Sequence, residues 1–223
     1  MKLLTLEEPR ALEQAASILQ HGGVIAFPTD TVYGIGASLA HPAALRRIFE
    51  VKGRDRSRTL PVLLASPADL VRVTPAVDPD VLSLARHFWP GPLTIAVPAL
   101  GSLPAEVVAG DSSVGVRVPD HSVALTMASR CGGAIAATSA NLSGQQPACR
   151  AEEIDPELAE QLDLILDGGL APCGLASTVI RREGATISVV REGAVPATTI
   201  QTIWDAIRAG DSLPSGAVPH GTA

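Results

Sequence analysis

The 223-residue chain carries 17 Lys and Arg against 23 Asp and Glu, a formal charge of -6, with 46% hydrophobic and only 3% aromatic residues. That balance excludes broad attraction to a phosphate backbone, which needs many cations to neutralise phosphates, so any anion site must be a local exception. The length and composition support one core built from Ala, Val, Leu and Ile, and no run of about 20 apolar residues suggests a membrane span.

The N-terminus lacks the apolar run and small-residue cleavage site of an export signal, which predicts a cytoplasmic protein. Cys131, Cys149 and Cys173 are odd in number and form no C-x-x-C pair, a pattern of small buried hydrophobes rather than of a disulfide framework or zinc site.

In chain order, Leu12, Ala15, Ala16 and Leu19 recur at helical spacing, and His21-Gly22-Gly23 ends that helix. Val24 to Phe27 reads as a buried strand entering the polar loop Pro28-Thr29-Asp30-Thr31. A second helix opens near Pro42, with Leu45, Ile48 and Phe49 on one face, and stops at Lys52-Gly53. A polar loop to Thr59 and a strand from Leu60 to Ala65 follow. The spacing then predicts a helix over Asp80 to Phe88, strands at Leu93 to Val97 and Val114 to Val118, a helix at His121 to Arg130 and a strand at Ala134 to Thr138. Strands at Leu164 to Leu166, Thr178 to Arg181 and Ile187 to Val190 precede a closing helix, Ile200 to Ala209.

This alternation predicts a three-layer α/β domain over residues 1–211. Some strand-to-strand links are too short for a crossover helix, so the sheet is expected to be mixed. The Gly-, Pro- and Ser-rich tail 212–223 is expected to be disordered.

No P-loop is present, and Gly34-Ile35-Gly36 lacks the third glycine and following acid of a dinucleotide fingerprint. Lys52, Arg54, Arg56 and Arg58 crowd one loop, which is either a solvated charged face or a holder of several anionic oxygens. Thr138-Ser139-Ala140-Asn141 follows a small-residue strand, either as a plain turn or as a set of hydroxyls, amide and backbone N-H groups for phosphate and ribose. Arg117 sits among residues that signal burial, so it needs a partner, either an internal carboxylate or a bound anion. Arg191 poses the same question.

Pro28 to Gly34, with the chain's only tyrosine, suits a small-molecule pocket wall, although Asp30 alone could serve as a helix cap and Tyr33 as packing. His21, His41, His87, His121 and His220 show no metal-ligand spacing.

Together the segments P-T-D-T-V-Y-G (28–34), K-G-R (52–54), W-P-G-P-L-T (89–94), V-G-V-R-V-P-D-H (114–121), T-S-A-N-L-S-G (138–144), S-T-V (177–179) and R-x-G (191–193) resemble the YrdC/TsaC family of threonylcarbamoyl-adenylate synthases. The resemblance implies a twisted open mixed sheet flanked by helices with a deep concave cavity. It implies an enzyme that joins L-threonine, bicarbonate and ATP, with Mg2+ accompanying the ATP, and a downstream complex that transfers the threonylcarbamoyl group to tRNA.

By the same resemblance Lys52 and Arg54 are catalytic, Thr29, Tyr33, Lys52, Arg117 and Ser177 lie by threonine, and Arg54, Arg58, Thr138, Ser139, Asn141 and Arg191 by ATP. No metal-binding residue is implied. The chain departs from many relatives at Arg58-Thr59-Leu60, which replaces K-P-L, and at Leu63, where longer relatives carry a histidine. It looks like the short, single-domain form. Two rivals are a double-stranded RNA-binding module, which the acidic charge opposes, and a carbamoyl-transfer module like that of hydrogenase-maturation proteins.

Overall fold

The computed structural model describes residues 2–55, 57–172 and 174–213, so Arg56, Cys173 and residues 214–223 of the expected disordered tail lie outside the described residues. The described chain forms a ten-stranded mixed sheet. Its strands are β1 (Leu3–Thr5), β2 (Ile25–Phe27), β3 (Gly34–Ser38), β4 (Val62–Leu64), β5 (Leu93–Pro98), β6 (Ser113–Arg117), β7 (Ala134–Ser139), β8 (Leu164–Asp167), β9 (Thr178–Glu183) and β10 (Thr186–Arg191). The spatial order is β1-β8-β2-β3-β7-β4-β6-β5-β9-β10. Parallel pairs such as β4 with β6 occur beside antiparallel ones such as β3 with β7.

Helices cover the sheet: α1 (Ala11–Gln20), α2 (Pro42–Lys52), α3 (Pro79–Phe88), α4 (Ser122–Arg130), the short α5 (Pro156–Glu160) and α6 (Ala197–Ala209). Two hydrophobic clusters form, and the strands divide their side chains between them with the two-residue alternation of a pleated strand. Ile25 and Phe27 pack with the small faces of α1 and α4, whereas Val24 and Ala26 join the cluster that holds Leu45 and Ile48 of α2 and Leu84 of α3. The sheet is therefore covered on both faces, as expected of buried strands in an α/β domain. No helix among the described residues is long and apolar enough to cross a membrane.

Most expected elements lie where the periodicity put them. The closing helix starts three residues early, at Ala197, and the strand expected over Leu60 to Ala65 narrows to Val62–Leu64. Two strands were not foreseen. β1 is three residues long, too short for any period, and β3 reads G-I-G-A-S, two glycines in a composition that disfavours strands. Packing explains those glycines: a Cβ at Gly36 would lie 2.8 Å from Phe27 Cε1 and 3.0 Å from the Ala136 carbonyl. Cys131 and Cys149 are half-buried rather than fully buried.

Candidate active site

The site lies where several strand ends meet. Phe27 pairs with Gly34, and Gly34 with Ser139, which places the 28–33 loop beside the end of β7. Leu63 pairs with Arg117, and Leu93 with Thr178, which brings the ends of β4 and β6 and the starts of β5 and β9 to the same region. Between them is a pocket, partly open to solvent, whose polar lining comes from Thr29, Thr31, Arg54, Thr94, Arg117, Thr138, Ser139, Ser177 and Arg191. Leu63, Pro61 and Ala137 supply an apolar wall.

The 28–33 loop is wound around one hydroxyl. Thr29 Oγ1 donates to the Val32 carbonyl at 2.7 Å and accepts from the backbone N-H groups of Thr31 and Val32. Because its single proton is spent on a carbonyl, the 2.9 Å bond between Thr29 and Thr31 must use the Thr31 proton. Thr31 Oγ1 in turn accepts from Arg117 Nη1 at 3.2 Å. Thr29 thus lines the pocket with no bonding capacity to spare, and Thr31 serves to aim a guanidinium.

Arg117 is 5% exposed. Its Nη2 forms an ion pair with Asp30 and its Nε donates to the Gly91 carbonyl at 2.9 Å. The two readings of Arg117 are resolved in favour of an internal carboxylate, yet the residue also faces the pocket. Asp30 caps no helix; its second oxygen, Oδ2, is buried without a partner. Tyr33 lines the pocket, and its hydroxyl is engaged at 2.8 Å with the Gly169 carbonyl and 3.2 Å with Asp167. Burial, opposed only in part by the Gly168 N-H, pushes that phenol up to about 12.

Arg191 has a different setting. Its Nη2 donates to the Ser177 carbonyl at 2.7 Å and to Ser177 Oγ at 3.3 Å, and it makes no ion pair among the described residues. Close approach of two backbones makes this geometry: a Cβ at Gly193 would lie 2.2 Å from the Ala176 carbonyl, so only glycine lets the 191–195 segment lie on 176–178. Arg54, held by its Nη2 to the Thr59 carbonyl at 3.0 Å, likewise has no carboxylate partner, and its Nε is buried and unbonded. Burial, then the charges of Arg58 and Arg191, lower the Arg54 value; burial, then Arg117, lower that of Arg191. Among the lining residues there is no carboxylate at all.

Lys52 and Asn141 are brought together behind this lining rather than on it. Lys52, 2% exposed at the end of α2, directs its ammonium to the backbone carbonyls of Ser139 and Asn141, the latter at 2.5 Å. Asn141 Nδ2 donates to the carbonyls of Leu142 and Gln145 at 2.7 and 2.9 Å. The two side chains shape the 139–145 turn from within, next to Thr138 and Ser139, which line the pocket. Arg58 is exposed and does not reach the lining.

Burial, then the nearby Arg54, bring Lys52 from its ordinary 10.5 down to about 7. Between those two values the unfolded chain binds more protons at this group than the folded one, so its contribution to stability rises with pH across that window. The slope has a ceiling of about 1.4 kcal/mol per pH unit. Urea unfolding at pH 7, 8 and 9 should show this rise in the wild type and not in Lys52→Met.

Thr31, Thr94, Leu63 and the backing Asp30 complete the site. Thr94 and Thr31 lay inside noted motifs, but nothing in their spacing marked them apart from neighbours. Their role depends on which face of a strand or turn they take.

The Sua5/YciO/YrdC family model, described as telomere recombination, matches residues 17–193. Threonylcarbamoyl-AMP synthase of Pyrococcus abyssi is 35% identical over 194 residues, 87% of this chain and 57% of that protein. A putative threonylcarbamoyl-AMP synthase of Mycobacterium tuberculosis is 31% identical over 88% of this chain and 90% of its own length. The crystal structure of Pyrococcus abyssi Sua5 complexed with L-threonine superposes with a TM-score of 0.85 at 33% identity, covering 91% of this chain and 60% of that one. The chain thus spans about three fifths of the length of the Pyrococcus protein. With a family model over most of its length and a fold shared with Sua5, the chain belongs to the Sua5/YciO/YrdC family.

Proposed function

We propose that this chain is a nucleotidyltransferase that makes threonylcarbamoyl-AMP, pyrophosphate and water from L-threonine, bicarbonate and ATP, in the cytoplasm, for a tRNA threonylcarbamoyl-transfer complex. One observation carries the reading: Arg54 and Arg191 hold uncompensated charge against a pocket whose lining contains no carboxylate. Arg54 is half-buried and Arg191 more exposed, and like charges held close together at one pocket favour an anion between them; a triphosphate supplies several. The names of the relatives supply the identity of the partners.

In this reading the threonine carboxylate lies on Arg117 and Ser177, and the phosphates lie on Arg54, Arg191 and the hydroxyls of Thr138 and Ser139. Lys52 and Asn141 act by fixing the turn that presents those hydroxyls. The threonine amine attacks carbon dioxide released from bicarbonate; a C-N bond forms, the amine loses a proton to solvent, and a carbamate results. A carbamate oxygen then attacks the α-phosphorus, and the bond to pyrophosphate breaks. Such a transfer needs positioning and charge stabilisation rather than a covalent nucleophile, and that is what a cage of guanidiniums and hydroxyls provides.

The lining does not fit a protein-held Mg2+, which favours carboxylate oxygens, because it offers only hydroxyls and guanidiniums. Magnesium in this scheme arrives on the ATP phosphates.

The test is chromatography of a reaction with radiolabelled bicarbonate. A labelled adenylate that appears only when threonine and ATP are both present is the expected result, and its absence would reject the reading. The rival RNA-binding role predicts instead a salt-dependent shift of duplex RNA with no threonine-dependent turnover. The carbamoyl-transfer rival predicts use of carbamoyl phosphate in place of bicarbonate.

A further inference from the structure

Thr94 lies in β5 at the pocket floor and is 2% exposed. Its Oγ1 is 2.8 Å from Ser177 Oγ, and either atom could supply the proton. The surroundings decide which does. If Ser177 were the donor, the Thr94 proton would be left in a buried position with no acceptor, because Thr94 Oγ1 has no other hydrogen-bond partner among the described residues. An unmade buried bond of that kind is disfavoured; both residues line the pocket, but Ser177, 8% exposed against 2% for Thr94, is the more open and the better placed to turn its own proton toward a ligand. Ser177 Oγ then accepts from Thr94 on one lone pair and from Arg191 Nη2, at 3.3 Å, on the other. A hydroxyl with both lone pairs occupied can only donate.

We propose that Thr94 is a positioning residue that fixes Ser177 as a hydrogen-bond donor, so that this point of the pocket accepts an anionic carboxylate oxygen and rejects a ligand group that itself donates. The inference rests on the assignment of Ser177 to the threonine carboxylate made above. Thr94 touches no reacting atom in this scheme. It acts through Ser177, and it makes the pocket more uniformly donating: the Arg117 guanidinium and one oriented hydroxyl converge where the carboxylate binds.

The experiment is calorimetric binding of L-threonine and of L-threoninamide, whose amide replaces one carboxylate oxygen by a donor, to the full chain. The proteins are wild type, Thr94→Val, Thr94→Ser, Ser177→Ala and the Thr94→Val/Ser177→Ala double variant, each checked by its melting temperature. Thr94→Val, which keeps the shape and loses the hydroxyl, is expected to weaken threonine about tenfold and to shrink the preference for threonine over the amide. Thr94→Ser, which restores the donor, should bind within about twofold of wild type. In the Ser177→Ala background Thr94→Val should add nothing, since its effect passes through that hydroxyl.

An unchanged ratio of threonine to amide affinity in folded Thr94→Val would overturn the inference, and so would full additivity in the double variant. Failure of the functional reading looks different. A wild type that binds threonine but makes no adenylate would reject that reading while the affinity ratios still judge Thr94. A wild type that binds neither ligand would reject both.

Discussion

Arg54→Ala is expected to lower adenylate formation by about 10²–10³-fold, the range seen when one preorganised donor to developing charge is removed. Arg54 faces the pocket, carries no carboxylate partner and lies where the charges of Arg58 and Arg191 oppose it. Its removal therefore takes away charge stabilisation without breaking an ion pair, and it relieves a repulsion. The melting temperature should stay within a few degrees of wild type or rise. Arg54→Lys is expected to recover little, because a point charge does not reproduce the planar fork that spans two phosphate oxygens. Initial rates of pyrophosphate release, with calorimetric melting as control, check both statements. A variant that keeps more than half of wild-type turnover would remove Arg54 from the phosphate site.

The second large effect is on stability. Asp30→Ala is expected to cost about 3–5 kcal/mol, the loss typical when one member of a buried ion pair is deleted. The side chains of Arg117 and Asp30 are 6% and 10% exposed, and the guanidinium left behind would lose this carboxylate while the charge of Arg191 still opposes it. His121, whose own charged form is disfavoured by burial although Asp30 and Asp120 pull the other way, would lose one of the two charges that favour its protonation. Urea unfolding measures the difference. Combining Asp30→Ala with Arg117→Met should recover most of the lost stability, since an apolar side chain of similar length leaves no orphaned charge. Such a double variant, folded but unable to hold threonine, separates the role of the pair in folding from its role in binding.

The helices and central strands were legible because apolar periodicity records burial directly. Leu12 to Leu19 and Leu45 to Phe49 read as one-faced helices, and α1 and α2 bury those faces. β3 was hidden because its glycines are there for clearance against Phe27 and Ala136, a contact between elements distant in sequence. The same reason limited the site. The convergence of Arg54, Arg117, Ser139, Ser177 and Arg191 followed from family-like motifs, yet no spacing could show that Asp30 neutralises Arg117 rather than capping a helix. Nor could it show that the Lys52 ammonium is engaged by the carbonyls of Ser139 and Asn141. Hydrogen-bond partners across 87 or 89 residues of sequence are set by the register of the sheet, which local pattern does not encode.

Titration of the wild type with ATP, ADP and AMP by calorimetry tests most directly whether uncompensated guanidiniums hold a polyphosphate. Affinity should fall with each phosphate removed, and that dependence should vanish in an Arg54→Gln/Arg191→Gln variant. Equal affinity of the wild type for AMP and ATP would contradict it.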